Sequence, residues 1–399
     1  MSLFSRVEQA PPDAILGLTE QFKADTNPRK VNLGVGVYQD ATGKLPLLRC
    51  VAAAEQRLAA TPTAKGYLAI DGIPTYGREV KELVFGADSP LLEQGRVVTA
   101  QALGGTGALK LGADLMRQVT PDATVLISTP SWENHLALFT RAGFTVEKYR
   151  YYDAARKGVD VDGMIEDLRA AAPGTIVVLH ACCHNPTGYD LAPADWQRVI
   201  DAVVEGGLTA FLDMAYQGFS QGIEEDGAVV RAFAERVPSF LVSTSFSKSF
   251  SLYGERVGAL SVVCSDAAEA ARVLSQLKIV IRTNYSNPPT HGAALVETVL
   301  EDPELRAQWV AELGEMRDRI KAMRTKLVDG LAAAGVEGMG YITDQVGMFS
   351  FSGLTKEQMQ RLRAEYAVYG TDTGRICVAA LNDDNVAYVS ESIAAVLQG

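Results

Sequence analysis

Six short β-prone runs punctuate the middle of the chain, and they constrain its fold more than anything else in it. They are Arg96-Val97-Val98-Thr99, Thr124-Val125-Leu126-Ile127, Thr175-Ile176-Val177-Val178-Leu179, Thr209-Ala210-Phe211-Leu212, Phe240-Leu241-Val242-Ser243 and Ala259-Leu260-Ser261-Val262-Val263. Each is mainly continuous apolar sequence, not an alternation of apolar and polar residues. That pattern belongs to strands covered on both faces, as in a mainly parallel sheet. Helical patterns such as Ala108 to Gln118 and Trp196 to Glu205 fall between the runs. The expectation is an open α/β sheet sandwiched by helices.

After Asp302-Pro303 the pattern changes. Leu305, Trp309, Leu313, Met316, Ile320, Met323 and Leu327 recur at three- and four-residue steps, which is helix periodicity. This helix should carry the chain out of the sheet into a smaller α+β unit. There, Gly347 to Phe351 and Arg375 to Ala379 read as strands, and Asp383 to Leu397 as a closing helix. Thr355 and Gln358 are spaced as a capping box. The expected division is residues 1–46 as an N-terminal arm and part of the small domain, 47–310 as the large domain and 311–399 as the small C-terminal domain.

With 399 residues, the chain is long enough for this division. The formal net charge is -11, with no Lys/Arg cluster, which argues against nucleic acid as a partner. An anionic ligand must then be held by a few placed cations or helix N-termini. The first residues lack a signal-peptide pattern, and no apolar stretch reaches membrane-spanning length. Cys50, Cys182, Cys183, Cys264 and Cys377 are scattered and odd in number, and read as reduced thiols of a cytoplasmic protein.

Ligands of open α/β sheets bind at the carboxyl ends of the strands, so the residues following each run carry the functional argument. Gly104-Gly105-Thr106-Gly107 follows the first; it is either a phosphate-binding helix start or a plain turn. Ser131-Trp132-Glu133-Asn134-His135 follows the second, where Trp132 offers a stacking face. His180-Ala181-Cys182-Cys183-His184-Asn185-Pro186 follows the third and is too crowded for one tetrahedral metal site, so no metal is expected. Asp213 and Tyr216 follow the fourth; the carboxylate suits a cationic ring nitrogen, or simply caps a helix. Ser245, Ser247, Lys248 and Arg256 follow the fifth: two hydroxyls and a guanidinium for a phosphate dianion, beside an amine. A phosphate cradle, a ring stacker, a pyridinium partner and a Schiff-base lysine on one sheet are the parts needed for pyridoxal phosphate.

These segments resemble the fold-type I aminotransferases of the aspartate/aromatic class I family. The likeness runs nearly end to end through Asn32 to Tyr38, Tyr67 to Gly72, Gly104 to Leu109, Ser131 to His135, His184 to Gly188, Asp213 to Gly218, Ser245 to Lys248, Asn284 to Pro289 and Gly374-Arg375. The resemblance implies that Lys248 bonds the cofactor as a Schiff base and later shuttles a proton. It implies that Asp213 keeps the ring nitrogen protonated with His135 behind it, that Asn185 and Tyr216 hold the phenolic oxygen, and that Trp132 stacks. Gly105, Thr106, Ser245, Ser247 and Arg256 would hold the phosphate, with Tyr67 reaching in from a second subunit. Gly36, Trp132, Asn185 and Arg375 would meet the substrate, Arg375 as the fork for its α-carboxylate. Arg282 would come from the second subunit to a side-chain carboxylate, which makes the expected protein a homodimer with Met1 to Pro12 as an arm.

The bacterial aromatic branch is the nearer match around Trp132 and Ala142-Gly143-Phe144, and Leu45 and Gly66 would ease passage of aromatic side chains. Val37, Thr106 and Asn287 look more like the aspartate type. The expected reaction is transamination between phenylalanine, tyrosine or aspartate and 2-oxoglutarate. The alternatives are an aspartate-restricted enzyme and, more remotely, a β-lyase or decarboxylase on the same fold.

Overall fold

The computed structural model describes residues 2–10 and 15–399. Its centre is a seven-stranded sheet. In chain order the strands are β1 (Val97–Leu103), β2 (Thr124–Thr129), β3 (Thr145–Arg150), β4 (Ile176–His180), β5 (Thr209–Met214), β6 (Phe240–Ser245) and β7 (Val257–Val263). Their spatial order is β1-β7-β6-β5-β4-β2-β3. Only β7 runs against its neighbours, pairing antiparallel with both β1 and β6. The remaining pairs are parallel. This is the expected fold-type I architecture.

The continuous apolar runs have the predicted cause. Ile176 and Val178 join one hydrophobic core, whereas Val177 and Leu179 join the core on the opposite face. The strand missed in the sequence, β3, lies at the sheet edge, and its Thr-Val-Glu-Lys-Tyr-Arg sequence is largely solvent-facing. Charged edge residues protect an open edge from pairing and also hide the strand from a search for apolar runs.

The glycine-rich segment after β1 is already helix: α1 spans Gly104–Val119, four residues ahead of the expected start. Gly104 at φ 69° reverses the chain in one residue, so no loop separates strand from helix. Within α1, Gly112 permits close packing, since a Cβ there would stand 2.4 Å from the Phe211 ring.

Beyond the sheet, α2 covers Ala267–Asn284 and α3 covers Pro303–Ala333. Asp302 caps α3 by accepting from Glu304 N and Leu305 N at 2.8 and 3.0 Å, an arrangement worth about 1 kcal/mol. The 31 residues of α3 form one uninterrupted helix across position 310. Strand β8 (Phe349–Phe351) then pairs antiparallel with β9 (Arg375–Cys377). The run ends as a strand at Cys377 because Val378–Ala380 turns into a 3-10 segment. The closing helix is Val386–Gln398, and Asp383 precedes it in an ion pair with Lys326. The Thr355–Gln358 capping box is present in full. Near the N-terminus, Val31–Asn32 pairs parallel with Val368–Tyr369, which ties the first residues to the C-terminal region.

Candidate active site

Register places the functional side chains. His180 pairs with Asp213 across β4 and β5, and Asp213 pairs with Ser243 across β5 and β6, so the chemistry shares one row near the carboxyl ends of the strands. A cavity of about 300 Å³ opens there. Gly36, Gly105, Thr106, Trp132, Asn185, Asp213, Tyr216, Ser245, Ser247, Lys248, Arg256 and Arg375 all line it. His135 lies directly behind Asp213. Tyr67 and Arg282 do not line the cavity of the single chain; both are exposed.

The anionic end is Asp213, 4% exposed. His135 Nε2 lies 2.9 Å from Asp213 Oδ2, and Ser131 Oγ lies 2.9 Å from His135 Nδ1. An ionised carboxylate only accepts, so Nε2 carries a proton and donates it to Asp213, while Ser131 Oγ pairs with Nδ1 on the other side of the ring. Burial pushes the Asp213 carboxyl up, but the His135 hydrogen bond and the nearby Lys248 ammonium outweigh it and hold the group below its ordinary range. Asp213 is therefore an anion at neutral pH, poised for a cationic group in the cavity. The ligand atoms of His135, His180 and Asp213 are close enough for a metal ion, but two of the three residues are already hydrogen-bonded to each other.

The opposite end offers donors. The first turn of α1 presents the unpaired N–H groups of a helix N-terminus beside Gly105 and Thr106. Ser245 and Ser247 are buried next to them, and Arg256 Nη1 donates to Ser247 Oγ at 3.3 Å and to Tyr253 O at 3.0 Å. A Cβ on Gly104 would stand 2.5 Å from Arg256 Nη2, and one on Gly105 would stand 3.1 Å from Ser245 Cβ. The glycines thus keep side chains out of a cradle made of hydroxyls, N–H groups and a guanidinium. Such a set selects a phosphate dianion. One cavity with an anion at one end and a phosphate cradle at the other fits pyridoxal phosphate.

Between the two ends sits Lys248, partly buried, with Nζ 4.7 Å from the centroid of the Tyr216 ring. Burial lowers its proton affinity, Asp213 raises it and Arg256 lowers it again, leaving a pKa of about 8. An ordinary lysine is neutral in roughly one molecule in a few thousand at pH 7; at a pKa of about 8 the fraction is about one in ten. Tyr216 stays a phenol, because burial raises its pKa despite nearby Arg375.

Arg375, 1% exposed, forms the third element. Its Nη1 donates to Asn185 Oδ1 at 3.1 Å and its Nη2 to Gly34 O at 2.7 Å, while Nε is buried without a partner. The guanidinium lies 4.4 Å above the centroid of the Phe349 ring. Held in this way, the guanidinium keeps one orientation in the cavity wall, with Nε still free to donate.

Sequence reasoning missed His180, Tyr253 and Phe349, which also line the cavity. Neither ring nitrogen of His180 has a hydrogen-bond partner, and burial lowers its pKa to about 3, so it is neutral. Tyr253 stands inside the Leu-Tyr-Gly-Glu-Arg segment, and its hydroxyl accepts from Tyr38 N at 3.0 Å. Its place between Lys248 and Arg256, both already singled out, was a usable signal; Phe349 offered none beyond an apolar strand.

Comparison with known proteins agrees with this geometry. The family description Aminotransferase class I and II matches residues 28–393. The chain belongs to that family. An aspartate aminotransferase of Pseudomonas aeruginosa is 60% identical over 398 residues, covering 100% of both chains. An aromatic-amino-acid aminotransferase of Escherichia coli is 49% identical over 397 residues, covering 99% of this chain and 100% of the relative. Among solved structures, an aromatic-amino-acid aminotransferase from Burkholderia pseudomallei, covalently bound to pyridoxal phosphate, superimposes with a TM-score of 0.97 at 62% identity and full coverage of both chains.

Proposed function

We propose that this chain is a pyridoxal-phosphate-dependent aminotransferase exchanging amino groups between aromatic amino acids or aspartate and 2-oxoglutarate. The observation that carries the reading is the position of Lys248, in one cavity with the Asp213–His135 pair, the Ser245/Ser247/Arg256 cradle and the buried Arg375. When bound, the cofactor supplies an electron sink that makes the substrate Cα–H acidic. Gly105, Thr106, Ser245, Ser247 and Arg256 would hold its phosphate, Asp213 its ring nitrogen, and Asn185 and Tyr216 its phenolic oxygen, with Trp132 against the ring. Arg375 grips the substrate α-carboxylate and so orients Cα. Lys248 Nζ, neutral in a useful fraction of molecules, would remove the Cα proton and, as the conjugate acid, deliver it to the carbon on the other side of the transferred nitrogen. Asp213 remains ionised throughout, since His135 keeps its second oxygen engaged.

A homodimer completes the site in this reading. Tyr67 is 96% exposed and Arg282 is exposed at the end of α2, which suits residues donated to the partner's cofactor phosphate and to the substrate's distal carboxylate. Leu3, Phe4 and Val7 are exposed apolar residues of an N-terminal arm lying on the partner; Met1, Pro11 and Pro12 of that arm lie outside the described residues. The division at 46/47 and 310/311 stands as proposed domains, with α3 as the connection. Five free, buried cysteines support a cytoplasmic setting, and no helix among the described residues is long and apolar enough to cross a membrane.

Substrate range is tested by kcat/KM for phenylalanine, tyrosine and aspartate with 2-oxoglutarate. Activity with aspartate alone would defeat the aromatic half. Val37 and Thr106 line the cavity, which favours aspartate restriction as the second reading. Leu45 is half exposed and a Cβ on Gly66 would meet nothing within 4 Å, but neither lines the cavity of the single chain. Visible absorbance of the purified protein, lost on borohydride treatment, tests the Lys248 bond.

A further inference from the structure

Arg324 is a guanidinium 1% exposed near the middle of α3, with no carboxylate at ion-pair distance among the described residues. Its Nη2 donates to Gly347 O at 2.7 Å and Phe349 O at 2.6 Å, and its Nη1 to Ser350 Oγ at 2.9 Å. All three acceptors belong to the segment that carries Phe349. Burying an unpaired cation costs stability, so the group needs a reason beyond packing.

The reason lies on the far side of Phe349. The Phe349 ring is the surface on which the Arg375 guanidinium rests. It also fills the space over Gly36, where a Cβ would stand 2.6 Å from the ring. The same segment is tied to the loop carrying Asn185, since Val346 N donates to Gly188 O at 2.7 Å. Asn185 in turn accepts from Arg375. Arg324 therefore fixes the backbone of the residue that supports Arg375 from beneath, while touching neither the cavity nor Arg375.

The helix bearing Arg324 is anchored at its other end beside the catalytic lysine. Trp309 Nε1 donates to Ser249 O at 2.7 Å, and its ring stacks on Phe250 at 4.5 Å. Trp309 and Arg324 are separated by roughly 22 Å of helix at about 1.5 Å per residue. One rigid element thus sets the spacing between the Lys248 turn and the Phe349 strand.

We propose that Arg324 is a positioning residue for substrate binding, acting through Phe349 to hold Arg375 in register with Lys248. The inference rests on reading Arg375 as the α-carboxylate receptor. Lysine at this position keeps the charge but cannot serve three acceptors in the guanidinium's planar geometry.

The experiment is a double-mutant cycle on the holoenzyme, read by calorimetric binding of succinate, which carries carboxylates but no reacting amine. Arg324→Lys should weaken succinate binding about tenfold, within the range shown by residues coupled through a shared neighbour. KM for aspartate should rise with it while kcat changes less. Phe349→Leu should weaken binding similarly, and the double variant should be little worse than either single one. Ser350→Ala, which removes only one acceptor, should act in the same direction by a smaller factor and keeps the test open if Arg324→Lys folds poorly. Unchanged succinate affinity in folded Arg324→Lys or Ser350→Ala, with only the melting temperature reduced, would overturn the proposal. So would multiplicative effects of Arg324→Lys and Phe349→Leu. Arg375→Lys is the control for the underlying reading: if it leaves succinate affinity unchanged, the carboxylate receptor itself is misassigned.

Discussion

Lys248 costs the cofactor-free protein stability, and the cost has a definite pH dependence. Its pKa falls from 10.5 to about 8 on folding, mainly through burial. The folded state therefore binds the proton less tightly than the unfolded chain, and charged lysine opposes folding below pH 8. Linkage sets the penalty at about 3 kcal/mol at pH 7 and about 1.4 kcal/mol at pH 9.5, disappearing above the unfolded pKa. Methionine matches lysine in length without a charge, so Lys248→Met should stabilise the apoprotein by those amounts. At about 2.1 cal/mol/K per residue, unfolding a chain of 399 residues makes the gain at pH 7 roughly 4 °C in Tm. The assay is thermal unfolding of cofactor-stripped native and variant protein at equal protomer concentration, at pH 7 and pH 9.5. The difference should shrink by about half at the higher pH. An equal difference at both values would mean that Lys248 does not titrate between them. A native apoprotein more stable than the variant at pH 7 would mean that attraction to Asp213 exceeds the cost of burial, and the neutral-amine argument would fail with it.

Three further outcomes follow from the site. Lys248→Ala should keep the phosphate cradle and bind cofactor, yet lose at least the ~10²- to 10⁴-fold that a positioned base contributes to turnover, measured as steady-state transamination. Arg282→Ala should lower kcat/KM for aspartate by about 10- to 100-fold, the worth of a charged hydrogen bond, and leave phenylalanine within a few-fold. Gly36→Ala should cost about 1–3 kcal/mol of overpacking against Phe349. A Cβ there would lie 2.6 Å from the ring, so the damage should appear as a raised KM for every amino acid together with a lower Tm.

What could be read from the sequence, and what could not, follows from how each residue does its work. Lys248, Asp213 and Ser245 were legible because they break an apolar run at the end where parallel strands deliver their ligands, and a polar residue there stands out against its neighbours. The edge strand Thr145–Arg150 was hidden because its charges serve negative selection against pairing, not burial. Phe349 was hidden for the opposite reason: an aromatic residue in an apolar strand reads as core, and its second use as a bed for Arg375 depends on contacts between β8 and β9 that no local pattern encodes. Arg324 is harder still. It follows Met323 on a helix whose apolar stripe was read correctly, and a lone arginine beside such a stripe reads as solvent-facing. What buries it is a pair of backbone carbonyls, at Gly347 and Phe349, that need a donor. Backbone acceptors have no signature in side-chain sequence, so a buried cation recruited to satisfy them is visible only once the chain has folded.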